Sequence, residues 1–193
     1  IREHVVYSPY TTYPAIRMYL DIPKLKRHRD SIFVIMPFKR KTKKHIVDVD
    51  VSYDKEGVEK LVKTEWNPYK DTPIKNHPEF VYTMRRIINS HKDRMDRLVE
   101  IQEHAKKLIV FYNFNYELEI MREGFKHVST GSELNGHNHD KLPEGDEWVY
   151  LVQYLSGNEA WECFTTNHMA FYSSNYSYRI STQSMGRIDR MTT

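Results

Sequence analysis

One cysteine, Cys163, in 193 residues excludes an internal disulfide and suits a reducing compartment. No apolar run approaches the roughly 20 residues of a membrane-spanning helix, and no signal peptide is visible, although a fragment could have lost one. The expectation is a cytoplasmic protein, in a bacterium or an infected host cell, that engages no membrane. Strong charge of one sign is absent too. Lys and Arg total 29 against 26 Asp and Glu, a net charge of +3, and the pI is near 8.8. That balance permits nucleic-acid binding without demanding it. No Gly-x-x-x-x-Gly-Lys-Ser/Thr sequence occurs, so the chain has no loop of that kind to cradle β- and γ-phosphates. The tempting acidic pair for holding magnesium, Asp146-Glu147, precedes a strand-like run instead of following one, and reads as a solvated loop.

What is present describes an ordinary globular chain. Hydrophobic residues are 39% and charged residues 28% of the whole, enough for a core in one domain or one domain with an appendage. Lys107-Leu-Ile-Val-Phe-Tyr112 is a continuous apolar run, as a strand buried on both faces requires. Asn113-Phe-Asn115 punctuates it, and Tyr116 to Arg122 reads as a helix ended by Gly124. Further short strands are expected at Phe125–Val128, Trp148–Val152 and His168–Tyr172, with a polar turn at Ser173-Ser-Asn175 and a closing helix from Tyr178 to Arg190. Upstream, Tyr53–Glu65, Glu79–Asn89 and Lys92–Lys106 read as helices. Trp66-Asn-Pro68 and Asp71-Thr-Pro73 mark a loop. Strands alternating with helices imply parallel βαβ units. In such sheets function gathers at the carboxyl ends of strands, where Asn113, Ser156-Gly157 and Ser173-Ser174 fall.

The last turn carries the most specific pattern, Gln183-x-x-Gly186-Arg187-x-x-Arg190. On a continuous helix Gln183, Arg187 and Arg190 share one face at i, i+4 and i+7. Two guanidiniums and an amide make a poor core face but a good polyphosphate clamp, because arginine offers a planar donor fork. An exposed amphipathic helix with two solvated arginines is the plain alternative. Two basic clusters, Lys24–Arg29 and Lys39–Lys44, flank the strand-like Ser31–Met36. They suit a phosphate backbone, or else blunt the edge of a hairpin. His137-Asn138-His139 spells the name of a nuclease family, but contiguous letters do not build that site, and a polar loop is expected; no metal-ligating set is read from the sequence. Most aromatics fall at packing positions. Tyr172 and Tyr176 are the exceptions that could stack on bases.

Taken in order, the strand ending Phe-Tyr-Asn113, then Gln153-Tyr-Leu-Ser156-Gly157-Asn-Glu159-Ala-Trp161, then Thr165-Thr-Asn167-His, then Gln183 to Arg190 resemble the second RecA-like lobe of a superfamily-two helicase. The resemblance is closest to the branch of chromatin remodellers and phage helicase-like ATPases. It covers Lys107 to Met191 most clearly; Arg27 to Val51 is similar to the segment joining the two lobes. Gly157-Asn-Glu159-Ala-Trp161 departs from the Gly-x-Gly-Leu-Asn of remodellers. The fold class implied is α/β, a RecA-like lobe with a central parallel sheet flanked by helices. It would occupy 107–193, after a helical and hairpin appendage over 1–106.

By this resemblance the function implied is the carboxyl-terminal motor lobe of a nucleic-acid-dependent ATPase, a helicase or duplex translocase. Arg187 and Arg190 would be catalytic, one as arginine finger. Gln183, Gly157, Glu159 and Gly186 would attend the nucleotide. Asn113, Ser156, Thr165, Lys39, Arg40, Lys41, Lys43 and Lys44 would touch nucleic acid, DNA rather than RNA. ATP and magnesium would be bound mainly by a first lobe of the same parent chain. Ile1 is not Met and Thr193 closely follows the last motif, so a fragment that turns over no ATP alone is expected. Two alternatives stay open: a non-catalytic nucleic-acid-binding or scaffold α/β domain, and an unrelated flavodoxin-like domain.

Overall fold

A computed structural model describes residues 5–7, 16–32, 44–128, 131–157, 161 and 163–188. Contacts divide the chain into Ile1–Lys41 and Thr42–Thr193. In the first unit β1 (Val5–Tyr7) pairs antiparallel with β2 (Ile16–Tyr19), and α1 (Ile22–Ile32) follows. Asp21 starts that helix by accepting the Lys24 N–H at 2.9 Å. The basic cluster from Lys24 to Arg29 therefore lies on a helix, exposed except at Leu25. Ser31 and Ile32, expected to open a strand, are its last turn, and 33–36 lie outside the described residues.

The second unit begins with an extended stretch, 44–54, and then α2 (Lys55–Thr64). Glu65 ends α2 in the left-handed region at φ 48°, its N–H bonded to Leu61 O. A two-residue pairing of β3 (Trp66–Asn67) with β4 (Thr72–Pro73) builds the expected loop. Next come α3 (His77–Asn89), capped by Asn76, and α4 (Lys92–Ala105). The sheet follows: β5 (Lys107–Tyr112), α5 (Asn115–Gly124), β6 (Gly131–Leu134), β7 (Trp148–Gln153), β8 (Met169–Phe171) and α6 (Tyr178–Met185). Strand order is β6-β7-β5-β8 and each pairing is parallel. The molecule is thus an α/β protein with a four-stranded parallel sheet flanked by helices.

Why the two central strands are apolar from Leu108 to Tyr112 and from Trp148 to Val152 follows from what covers them. Leu108, Val110 and Tyr112 with Val149 and Leu151 face Met95 and Leu98 of α4 and Leu118 and Met121 of α5. Ile109 and Phe111 with Trp148, Tyr150 and Val152 pack on the other face with Tyr154 and Cys163, and Ile180 of α6 closes over them. Each fully buried side chain of this size contributes about 1.5–3 kcal/mol. Because α4 donates core residues to the sheet, the expected division near residue 106 falls inside this unit.

One expected strand is displaced. Phe125–Val128 is a turn that ends α5, with Phe125 N–H on Met121 O and Val128 N–H on Phe125 O, both at 2.9 Å. Phe125 is buried in the first core cluster instead of lying in a ladder. The strand is β6, Gly131-Ser-Glu-Leu134, an edge strand paired in the sheet with β7 and half-exposed.

Candidate functional site

Three chain segments leave the carboxyl ends of β5, β7 and β8 together. After β5, the side chain of Glu117 turns back from the first turn of α5. Its Oε2 accepts the N–H groups of Asn113 (2.8 Å) and Phe114 (3.2 Å) and the hydroxyl of Ser173 (3.0 Å). Its Oε1 accepts Asn89 Nδ2 (3.0 Å) and Tyr116 Oη (3.3 Å). This carboxylate is fully buried, and those donors replace the water it has lost. Asn113 extends the set: its Nδ2 donates to Ser173 Oγ (2.7 Å) and Ser174 O (3.1 Å), while its Oδ1 accepts Asn175 Nδ2 (2.8 Å). Gln153 Nε2, at the end of β7, donates to Asn113 O at 3.3 Å.

Helices α3 and α4 brace the same edge from behind. Arg85 Nη2 donates to Ser174 O (2.9 Å) and Arg94 Nη1 to Tyr172 O (2.7 Å). Tyr172 is 2% exposed, and its hydroxyl donates to Asn89 O at 2.7 Å. Burial pushes the Tyr172 phenol up to about 12, against a smaller lowering by Arg94. Tyr172 is therefore core, not the base-stacking residue its position suggested. Tyr154 Oη, also buried, donates to Ser173 O at 3.0 Å, and burial raises its pKa as well.

The arginine motif does not form one helical face. Helix α6 stops at Met185, and Gly186 closes it with its N–H on Gln183 O and Thr182 O at 3.1 and 3.2 Å. Arg187 lies beyond the helix and turns inward: Nε donates to Gly157 O (3.1 Å) and Nη1 to Trp161 O (3.3 Å). Its backbone carbonyl accepts Cys163 N–H at 3.4 Å, and the guanidinium lies 6.0 Å from the Trp161 ring centroid. Gln183 is exposed on α6. Gly157 is buried where a Cβ would collide with Val152 and approach Phe111 Cε1 within 2.8 Å, so the close approach of this turn to the sheet needs glycine.

The remaining candidates are scattered. Asn113 and the half-buried Ser156 are at the carboxyl ends of β5 and β7. Thr165 is at the opposite end of the sheet, just ahead of β8. Its neighbour Thr166 donates to Lys107 O, where β5 begins, at 2.6 Å. Asn113, Ser156 and Thr165 thus do not share one surface, because Thr165 precedes its strand whereas the other two follow theirs. Lys44 is exposed on the extended stretch. Lys39, Arg40, Lys41, Lys43, Glu159 and Arg190 lie outside the described residues. His137 and Asn138 form a turn, their N–H groups both on Asn135 Oδ1 at 2.9 Å. Among the described residues no group of three His, Cys, Asp or Glu could hold a metal ion, and no helix is long and apolar enough to cross a membrane. Sequence reasoning missed Glu117, Arg85 and Arg94. The signal for Glu117 was its position three residues after Phe114, where a glutamate reaches back to cap a helix. The arginines act on residues 78 or more positions away, which no local pattern reveals.

No protein-family model matches the chain, and no curated protein matches it. Among solved structures it is similar to the crystal structure of the C-terminal part of the Fun30 ATPase domain, at 15% identity and a TM-score of 0.42. The similarity covers 58% of this chain, which spans 43% of that one.

Proposed function

We propose that this chain is the second motor lobe of a nucleic-acid-dependent ATPase, a helicase or duplex translocase. The observation that carries the reading is the pair of hydrogen bonds from Arg187 to the carbonyls of Gly157 and Trp161. They join the two segments that the sequence resemblance assigns to the nucleotide and its hydrolysis, one carrying Gly157 and Glu159 and the other Gln183 to Arg190, although 30 residues separate Arg187 from Gly157. In this reading Arg187 ties the turn after β7 to the end of α6. Arg190 is the arginine finger, and Gln183 and Gly186 help to place the nucleotide with Glu159. ATP is held mainly by a first lobe of the parent chain. Magnesium would be held with the ATP by that first lobe. Asn113, Ser156, Lys39, Arg40, Lys41, Lys43 and Lys44 track the DNA backbone, with Thr165 a separate contact.

Arginine that meets charge developing in the transition state raises turnover more than binding. In the two-lobed parent, Arg190→Ala is expected to lower ATP hydrolysis by about 10³-fold or more, with ATP affinity little changed and no rescue by lysine. Unimpaired hydrolysis in both Arg190→Ala and Arg187→Ala would defeat the motor reading. The 193-residue chain alone is expected to show no ATPase activity, and DNA-stimulated turnover by it would defeat the split site. The inward turn of Arg187 favours a second reading, a scaffold lobe without catalysis. Loss of thermal stability in Arg187→Ala, with Arg190→Ala silent, would select it.

A further inference from the structure

Arg85 does more than brace a carbonyl. Its guanidinium lies 4.9 Å from the ring centroid of Phe114 and 4.8 Å from that of Tyr176, while Nη2 holds Ser174 O. Tyr176 is 81% exposed and Tyr178, two residues on, 84%. Rings so exposed add little to the core, yet the backbone carrying them is fixed. Ser177 N–H donates to Asn175 Oδ1 at 2.8 Å, Ser181 Oγ to Asn175 O at 3.2 Å, and Asn175 itself is held by Asn113. Two broad π faces thus stand in water, one of them already ordered by a cation, so little entropy is lost when a flat ligand lands. Behind them Phe114 stacks on Tyr116 at 5.5 Å, with Tyr82 edge-on to both. Arg179 adds charge in the first turn of α6, which holds no acid. The acid beneath, Glu117, is buried and fully hydrogen-bonded. Exposed rings with cationic neighbours, and no acid in the first turn of α6, match a base stack with its phosphates alongside.

We infer that Tyr176 and Tyr178, with Arg85 as the positioning residue for the first ring, form a stacking platform for the unpaired bases of a single-stranded nucleic acid. The inference rests on the proposed function for the class of ligand. It adds that bases as well as phosphates are held, and that the strand is unpaired.

The test is fluorescence anisotropy of the 193-residue chain with a labelled oligothymidylate, an abasic strand of equal length, and a duplex. The oligothymidylate is expected to bind more tightly than the abasic strand. Tyr176→Ala and Tyr178→Ala should each weaken it about fivefold or more, leaving abasic affinity and the salt slope unchanged. Both rings are solvent-exposed, so these variants keep the fold; Tyr176→Phe should bind as the wild type. Arg85→Lys keeps the charge but not the planar stack, and should weaken the oligothymidylate at an unaltered salt slope. Equal affinity for thymidylate and abasic strands, tighter binding of the duplex, or silent tyrosine variants would overturn the platform and leave a phosphate-tracking lobe standing. Failure of all three ligands to bind would remove the nucleic-acid reading itself.

Discussion

Replacing Glu117 by alanine tests the arrangement of the carboxyl edge most directly. The substitution leaves five donors without their acceptor: the N–H groups of Asn113 and Phe114, the hydroxyls of Ser173 and Tyr116, and the amide of Asn89. Asn113 and Phe114 are half-exposed and can turn to water, and the Tyr116 hydroxyl can rotate. Asn89 and Ser173 are buried at 6% and 5% exposure, and each stranded polar group there costs about 1–3 kcal/mol. Release of the carboxylate from its buried site offsets part of this. The expected loss is about 3 kcal/mol, a large share of the ~5–15 kcal/mol that holds a domain together. Glu117→Gln keeps the volume and one acceptor oxygen and should cost about half as much. In urea, with a slope of about 1–3 kcal/mol per molar, alanine should lower the midpoint by about 1–3 M at unchanged slope. An alanine variant within about 0.5 kcal/mol of wild type would refute the view that Glu117 organises this edge.

Two further outcomes follow from neighbouring features. Gly157→Ala drives a Cβ into Val152 and to 2.8 Å from Phe111 Cε1, with Gln153 O at 3.3 Å. Phe111 is fully buried and cannot yield, so a loss of about 1–3 kcal/mol is expected, read as a lowered melting temperature in calorimetry. Arg122, first among several donors, holds the Glu133 carboxyl below the usual range, Nη2 to Oε2 being 2.7 Å. The folded pKa is below the unfolded value of about 4.3, so the stabilisation is complete above that value and fades as pH falls through the lowered one. Amide protection in β6, relative to the intrinsic exchange rate, should therefore fall below about pH 4, and Arg122→Ala should weaken that dependence, the amides of Asn135 and Asn138 still donating to Glu133; an unchanged profile in the variant would contradict it.

How much of this the sequence disclosed depended on where each segment is buried. β5 and β7 were legible because helices cover both faces, which forces Leu108–Tyr112 and Trp148–Val152 to be apolar throughout. β6 was not, because an edge strand reading Gly-Ser-Glu-Leu carries neither an apolar run nor a clean alternation, whereas Phe125–Val128 has strand-like residues and instead plugs the core. The closing helix was expected to run on to Arg190, since helix and turn differ there by a single glycine cap at Gly186. Its termination converts Arg187 from a surface guanidinium into a clasp on the turn after β7. Thr165 was grouped with Asn113 and Ser156 from their order along the chain, and order does not say whether a residue precedes or follows its strand. The tie between Arg187 and the segment around Gly157 was invisible for the same reason as those of Arg85 and Arg94: it depends on closure of the fold.

The hub at Glu117 also has a consequence for how the protein opens. Asn89, Asn113 and Ser173 are brought from three distant parts of the chain onto one carboxylate, and Tyr172 returns a hydrogen bond to the carbonyl of Asn89. None of these segments can swing outward alone without stranding the partners of the others. Fraying at the carboxyl edge is thereby made a collective event, coupled to the end of α3 and to the strands β5 and β8. The amides of Asn113 and Phe114, though near solvent, should exchange with deuterium at the slow rate of the sheet interior, so this rim would behave as a stiff plate through which a push on the loop after β8 reaches the helices behind it.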